Sequence, residues 1–397
     1  MTQTIILFDV DGVLITPHGY RCASEATMKV FLDQLGQPHW QPDPALYEQF
    51  ESYMITSEWD MMPFLLCAFL EHAANILQPT ASWKTFDEAA EDIREIPNLP
   101  PPIGLPETID QIGKIVNGQS GSPASWVMRA KEKSNFPFPM LRNHPVLEYL
   151  LGDTRHIQKS ITMRTFQEHI IGSKLFEEYY HLDPKFNVPS FLTQYDTCPV
   201  TADTLALLNQ RAESDQVYLC LYTARPSMPP AGISSNGDGA YSPEAEQVFD
   251  LIKLSNCYMS AYGKVHWLAQ HCDFDAEELL KPSPVQALSA ISYHFAADEV
   301  TALLWAQEIY RAYLDNDITE VHTPTHLPKS LGLHVFEDSP NGLRGGAQAA
   351  EILRFLGIHV DLHLYGISMN PAKKAALLAQ GGQVYEDVNQ AIIDALT

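Results

Sequence analysis

Two acids spaced by one residue, Asp9 and Asp11, close an apolar run in "IILFDVDG" at 5–12. Three other places carry side chains that could do chemistry with them: Thr223 at the end of "VYLCLYT", Lys281 in "LLKPSP", and Glu337 with Asp338 in "HVFEDSPNGL". Each stands at an expected strand end or helix start. Two carboxylates about 4 Å apart repel by ~4 kcal/mol at an effective dielectric of about 20. Three or four of them meeting in one cleft therefore need a cation, or one must stay protonated. Oxygen-only ligands with open positions suit Mg²⁺. A lysine and a threonine hydroxyl beside them would bind the oxygens of a phosphoryl group. The set combines a carboxylate nucleophile, a second carboxyl as acid/base, and positive charge for a transferring trianionic group.

Taken singly, none of these residues is specific. D-x-D-G is ordinary turn chemistry, and Thr223 is a β-branched strand residue. Lys281 alone reads as a solvated lysine before a proline-bounded helix. Glu337 and Asp338 alone read as a helix start, with Ser339 or Asn341 capping. The information lies in their order and in their placement at strand ends. Arg225, two residues after Thr223, is a further candidate to touch phosphate, against a surface role. Lys264 in "AYGKVHW" is the rival to Lys281.

The elements that must position these residues follow from the apolar pattern. Residues 4–8 form a run without alternation, as expected for a parallel strand buried on both faces. Further strands are expected at 217–223, 333–338, 360–367 and in "QVYED". Helices are expected over 25–35 with Ser24 as cap, after Asp203 as cap, and over 244–254. More follow Pro284, at 300–314, at 341–356, from Pro371, and at the end of the sequence. Strand and helix in alternation predict an α/β fold, a Rossmann-like doubly wound parallel sheet. Between strand 1 and the rest lie roughly 180 residues of mainly helical pattern. Turn-rich stretches at 97–106, 117–125 and 136–140 break that region, and a Gly/Ser/Pro-rich loop covers 226–243. The predicted domains are a catalytic core, 1–15 with 200–397, and an inserted helical domain, 16–199. The insertion leaves from the carboxyl end of a strand, where open α/β sheets place their ligands.

Composition narrows the function classes. The 397 residues are 45% hydrophobic, ample for two domains. A formal charge of -24 repels nucleic acid and anionic membranes at long range, so neither is an expected partner. The most apolar helical stretch, 61–77, is interrupted by Pro63, Glu71 and His72 and reads as a core helix rather than a membrane span. No basic region precedes the first apolar run, so no secretory signal is expected. The six cysteines lie far apart without a C-x-x-C, which suits reduced thiols and a cytoplasmic location. The fifteen histidines form no H-E-x-x-H, so no zinc site is expected.

The four segments, in this order, resemble the four motifs of the haloacid dehalogenase-like (HAD) superfamily. "FEDSPNGL" takes the form seen in the branch with β-phosphoglucomutase and phosphoglycolate phosphatase. The resemblance covers 1–15 and roughly 200–397; for the segment between, it implies only a mobile helical cap. It implies that Asp9 is the nucleophile forming an aspartyl-phosphate, and that Asp11 is the general acid/base with its backbone carbonyl on the metal. Thr223 and Lys281 would bind the phosphoryl oxygens. Asp338 would complete a Mg²⁺ shell, with Glu337 in or just behind it. The second acid argues against dehalogenation. The gaps from Thr223 to Lys281 (281 − 223 = 58) and from Lys281 to Asp338 (338 − 281 = 57) are long, so each half carries an insertion. "TPHGYR" at 16–21 lacks a mutase or phosphonatase signature, so the substrate does not come with the motifs.

The resulting expectation is a Mg²⁺-dependent phosphatase acting on a small phosphorylated metabolite. A phosphotransferase or mutase would share all four motifs. A non-catalytic binding or regulatory protein on the same fold is a third reading, against which the intact acids argue. Arg129, Lys131, Lys133, Arg142, Arg155, Lys159 and Arg164 form a basic cluster in the inserted region. They read first as exposed, solubilising charges, and Arg129, Lys131, Lys133 and Arg142 are the first candidates to face an anionic substrate.

Overall fold

The computed structural model describes residues 3–79, 82–96, 98–119, 121–213, 217–235, 239–317, 321 and 326–396. Of the expected turn-rich stretches, positions 97, 120 and 236–238 lie outside these. The chain divides into two compact units: Met1–His18 with Tyr195–Thr397, and Gly19–Gln194.

The first unit is built on six strands: β1 (Gln3–Phe8), β2 (Val217–Tyr222), β3 (Cys257–Ser260), β4 (Ser330–Glu337), β5 (His359–Ile367) and β6 (Gln383–Tyr385). All pairs are parallel, in the order β3-β2-β1-β4-β5-β6. Residues 5–8 of β1 are buried with no alternation, because helices cover both faces of the central strands. Their partners on one face come from Val285–Tyr293 and Glu299–Asp315, whose Leu288, Ile291, Leu303 and Ile309 share one apolar cluster with Ile5, Leu7, Leu333 and Val335. After β1 the chain goes on to β2 and β3 on one side, and β4 to β6 lie on the other. The order reverses beside β1, so the crevice for a ligand falls at its carboxyl end.

The expected strands are all present. β3 was not anticipated: "CYMS" is four residues long and too short to show a period. Two caps differ from expectation. The helix Gly19–Gln34 starts ahead of Ser24, which is buried within it. Ala202–Ala212 is capped by Thr201 rather than Asp203: Thr201 has the extended backbone of a cap, and its hydroxyl accepts from the Thr204 N–H.

The unit boundaries lie at 18/19 and 194/195 instead of 15/16 and 199/200. The reason is local pairing. Thr16 and Thr197 exchange backbone hydrogen bonds (2.8 and 3.3 Å), and the His18 N–H donates to Asp196 Oδ1 at 2.8 Å. Both crossing segments are thereby tied to the sheet unit.

The second unit is helical among its described residues. Its central helix, Glu58–Leu77, is long and apolar enough by length and composition to cross a membrane, but 78% of its most apolar window is buried inside the protein. Phe64, Leu66, Phe69 and Leu70 pack in that unit's core. Its buried acids Asp60, Glu71 and Glu168 are partnered, Glu168 accepting from the Ser173 hydroxyl and the Lys185 and Phe186 N–H groups. Asp60 Oδ2 pairs with Arg155 at 2.8 Å and Oδ1 accepts from Thr154, and Glu71 accepts the Met140 and Leu141 N–H groups. Arg129 lies over the Trp126 ring and Arg142 over the Phe136 ring.

Candidate active site

The register of the sheet puts the acids together. Phe8 is opposite Leu221 on one side and Phe336 on the other, so the next residue of each strand brings Asp9 beside Tyr222 and Glu337. The Asp9 N–H extends the ladder by donating to the Phe336 carbonyl at 2.9 Å. The chain then turns tightly: the Val10 carbonyl accepts from Leu14 and Ile15, and the Gly12 N–H donates to the Ile15 carbonyl. Gly12 has φ +78°, and a Cβ there would lie 2.7 Å from Asp338 Oδ2. A side chain is excluded on both conformational and steric grounds.

Lys281 is the centre of charge. Its ammonium is 2.6 Å from Asp9 Oδ1 and 2.7 Å from Glu337 Oε1, and lies 3.7 Å from the centroid of the Tyr222 ring. Burial disfavours this ammonium, but Asp9 and Glu337 outweigh that and hold it protonated, above the ordinary lysine value. Burial pushes the Asp9 carboxyl well above the usual range, and Glu337 adds to it; Lys281 works in the opposite direction. Lys264 is placed elsewhere, paired with Glu299 at 2.7 Å.

Glu337 is wholly buried at the end of β4, and its Oε2 accepts from the Ser339 hydroxyl at 3.1 Å. Ser339 also caps Pro340–Phe355 by accepting the Gly342 N–H. The carboxylate lies so close to that helix start that a Cβ at Gly342 would fall 1.8 Å from Glu337 Cδ. Asp338, the next residue, is partly exposed and meets the Lys373 ammonium at 2.7 Å. Thr223 follows β2: its N–H donates to the Ser260 carbonyl, its carbonyl accepts from Gln286, and its buried hydroxyl accepts the Arg225 N–H at 3.1 Å.

Asp9, Glu337 and Asp338 each offer one carboxylate oxygen, all within 4.8 Å of one another. Three hard oxygen donors against the two ammoniums of Lys281 and Lys373 leave an excess of negative charge. The donor set fits a small divalent cation such as Mg²⁺.

The structure therefore brings Asp9, Lys281, Glu337 and Asp338 into one cluster, with Thr223 at the end of the adjacent strand. Asp11 and Arg225 form a second group. Arg225 Nε lies 2.8 Å from Asp11 Oδ2 and its Nη2 2.5 Å from Oδ1, a bidentate pair. The same Nη2 is 3.0 Å from Asp196 Oδ2. The guanidinium read as a phosphate ligand thus has two carboxylate partners.

Two participants escaped the sequence reading. Lys373 stands in the first turn of Pro371–Ala379, directly after β5; the rule that ligands gather at strand carboxyl ends could have flagged it. Asp196 sits in the returning segment and had no motif to announce it.

No family profile and no curated protein sequence matches the chain. Solved structures do. An X-ray structure of Northeast Structural Genomics Consortium target ZR25 aligns over 100% of this chain and 99% of its own, with a TM-score of 0.61 at 15% identity. Phosphatase Tt82 from Thermococcus thioreducens aligns over 99% of both chains, with a TM-score of 0.45 at 17% identity. Among the described residues the first unit is an α/β fold built on a six-stranded parallel sheet, with acids at the carboxyl ends of β1 and β4. A large helical unit is inserted after the first strand.

Proposed function

We propose that this chain is a Mg²⁺-dependent phosphatase that hydrolyses a small phosphomonoester through an aspartyl-phosphate on Asp9. The observation that carries the reading is the Asp9 carboxylate at the switch point of the sheet, 2.6 Å from a buried lysine and within 4.8 Å of two further acids. A buried nucleophilic carboxylate must be kept ionised against desolvation, and Lys281 supplies the opposing charge.

In this reading an Asp9 oxygen attacks phosphorus, and the bond from phosphorus to the ester oxygen breaks. The leaving alkoxide takes a proton from Asp11. A water molecule then attacks the aspartyl-phosphate and gives its proton to Asp11, releasing inorganic phosphate and restoring Asp9. Lys281 and the Thr223 hydroxyl bind phosphoryl oxygens throughout. Glu337 orients Lys281 from behind, with Ser339 fixing its second oxygen. Asp9 and Asp338, with the Asp11 backbone carbonyl, would hold Mg²⁺, which neutralises charge on the phosphoryl group when bound.

The test is a panel of phosphorylated metabolites assayed with Mg²⁺, with Asp9→Asn as control. Asp9→Asn keeps the shape of the side chain and removes the anionic attacking oxygen. We expect release of phosphate to vanish while the circular dichroism spectrum and Tm survive. An Asp9→Asn protein that retains the wild-type rate refutes the mechanism. Incorporation of ¹⁸O from labelled water into the released phosphate separates hydrolysis from transfer to a second substrate.

A further inference from the structure

The placement of Arg225 asks for a reason that the phosphoryl chemistry alone does not provide. It is almost completely buried, as is Asp196, whereas the Asp11 side chain keeps 35% of its surface exposed. A buried guanidinium needs carboxylate partners with good geometry, and this one takes two from distant parts of the sequence. Asp11 lies two residues after the nucleophile. Asp196 lies in the segment that returns from the inserted unit, and its other oxygen accepts the His18 N–H from the segment that leaves for it. The Thr16–Thr197 pairing fastens the two segments side by side. Arg225 is itself fixed at both backbone ends: its N–H donates to the Thr223 hydroxyl, and its carbonyl accepts from the Tyr262 N–H at 3.0 Å.

We infer that Arg225 and Asp196 are positioning residues for Asp11. Together they tie the acid/base carboxylate to the two crossing segments, so that those segments set where Asp11 stands relative to the leaving group. The inference rests on the phosphatase reading. It adds that the proton donor is placed by a three-residue network that includes the chain crossings, and not by the strand carrying the nucleophile alone. The bidentate grip of Arg225 fixes both the direction and the rotation of the Asp11 carboxylate, which a lysine could not do. Proton transfer needs hydrogen-bond reach of the ester oxygen, so a small displacement of Asp11 costs rate without altering the binding of the phosphoryl group.

Such a role has a signature that simple loss of structure lacks. Expulsion of nitrophenolate needs little proton assistance, and expulsion of the more basic phenolate needs more. The experiment measures kcat/KM, which covers the steps up to phosphoryl transfer, for p-nitrophenyl phosphate and phenyl phosphate. The proteins are wild type, Asp11→Asn, Arg225→Lys, Asp196→Asn, and each of the latter two combined with Asp11→Asn. Thermal melts accompany every variant, and Asp196→Asn keeps the shape of the network if Arg225→Lys fails to fold. We expect Arg225→Lys and Asp196→Asn to lower kcat/KM for phenyl phosphate about tenfold more than for p-nitrophenyl phosphate. Neither should add to the loss already caused by Asp11→Asn. Equal losses on the two esters, no loss, or full additivity with Asp11→Asn would overturn the inference while leaving the phosphatase reading intact. A wild-type rate on p-nitrophenyl phosphate no higher than that of Asp9→Asn would sink that reading, and the inference with it.

Discussion

At the scale of single residues, the site is governed by what each side chain does to its neighbour's charge. Lys281 touches two buried acids, so replacing it removes the only ammonium within contact of Asp9 among the described residues. Lys281→Met is expected to lower kcat/KM by about 10²–10³-fold and also to destabilise the fold, since two carboxylates lose their partner. Lys281→Arg should rescue poorly, because the planar guanidinium does not fit a position shaped for a compact ammonium under the Tyr222 ring. Steady-state kinetics on folded protein checks both, and a Lys281→Met variant with wild-type kcat/KM would contradict the role. Gly342 gives a second prediction. A Cβ there must displace the Glu337 carboxylate that orients Lys281. Gly342→Ala is expected to cost about 1–3 kcal/mol in a thermal or urea melt and to lower kcat together with stability.

At the scale of elements, the strand ends decide where chemistry can occur, and the loops after them have to be held in place. The loop after β2 is pinned by two acids: Glu246 on Glu244–Ile252 accepts the Met228 N–H at 3.1 Å, and Glu299 accepts the Ala231 N–H at 2.6 Å. Burial pushes the Glu246 carboxyl up to about 7, although Lys264 and its backbone donors pull it down. Its folded value lies above its unfolded one. Its contribution to stability is therefore present below the ordinary value of 4.5 and is lost as the pH rises through about 7. The full span corresponds to about 3 kcal/mol. Glu246→Gln keeps the acceptor for Met228 and removes the charge. The variant should match wild type near pH 4.5 and melt at a higher temperature than wild type at pH 8. A Tm difference independent of pH, or one that favours wild type at pH 8, would contradict this account.

At the scale of the whole molecule, a formal charge of -24 sets a repulsive background for any phosphate ester. On the proposed reading, the local ammoniums of Lys281 and Lys373 and a bound cation would overcome it. The cation can be tested without turnover. A ligand present at about 100 times its Kd stabilises the native state by about 2.7 kcal/mol, which for a unit of roughly 200 residues is a shift of about 5–10 °C. Addition of Mg²⁺ to chelator-treated protein should raise the Tm by that order, and EDTA should reverse it. Asp338→Asn should remove most of the shift while leaving the melt without Mg²⁺ nearly unchanged or higher. An identical Mg²⁺ shift in Asp338→Asn would place the cation elsewhere.

The sequence by itself determined the sheet and most of its cast. Parallel strands buried on both faces must be continuous apolar runs, and the expected strands at 4–8 and 217–223 are such runs, whereas 360–367 is interrupted by Asp361 and His363. The residues that follow them are forced to the carboxyl edge of the sheet, so Asp9, Thr223 and Asp338 were legible in their places. Lys281 was legible too, because it precedes a proline-bounded helix start. The chain also showed that a long helical segment interrupts the sheet. Tertiary structure alone decided the partnerships. Arg225 and Asp11 are 214 positions apart, and the register of β1 against β2 brings them within reach. Asp196 joins them because the crossing segments pair at Thr16 and Thr197. The same pairing moved the unit boundaries inward from the positions suggested by the proline at 199. Lys373 reaches Asp338 because β5 lies next to β4. Local periodicity reports which face of an element is buried. It carries no term for which of two dozen basic side chains will neutralise a given acid, since that depends on strand order and register, and these are properties of the assembled sheet.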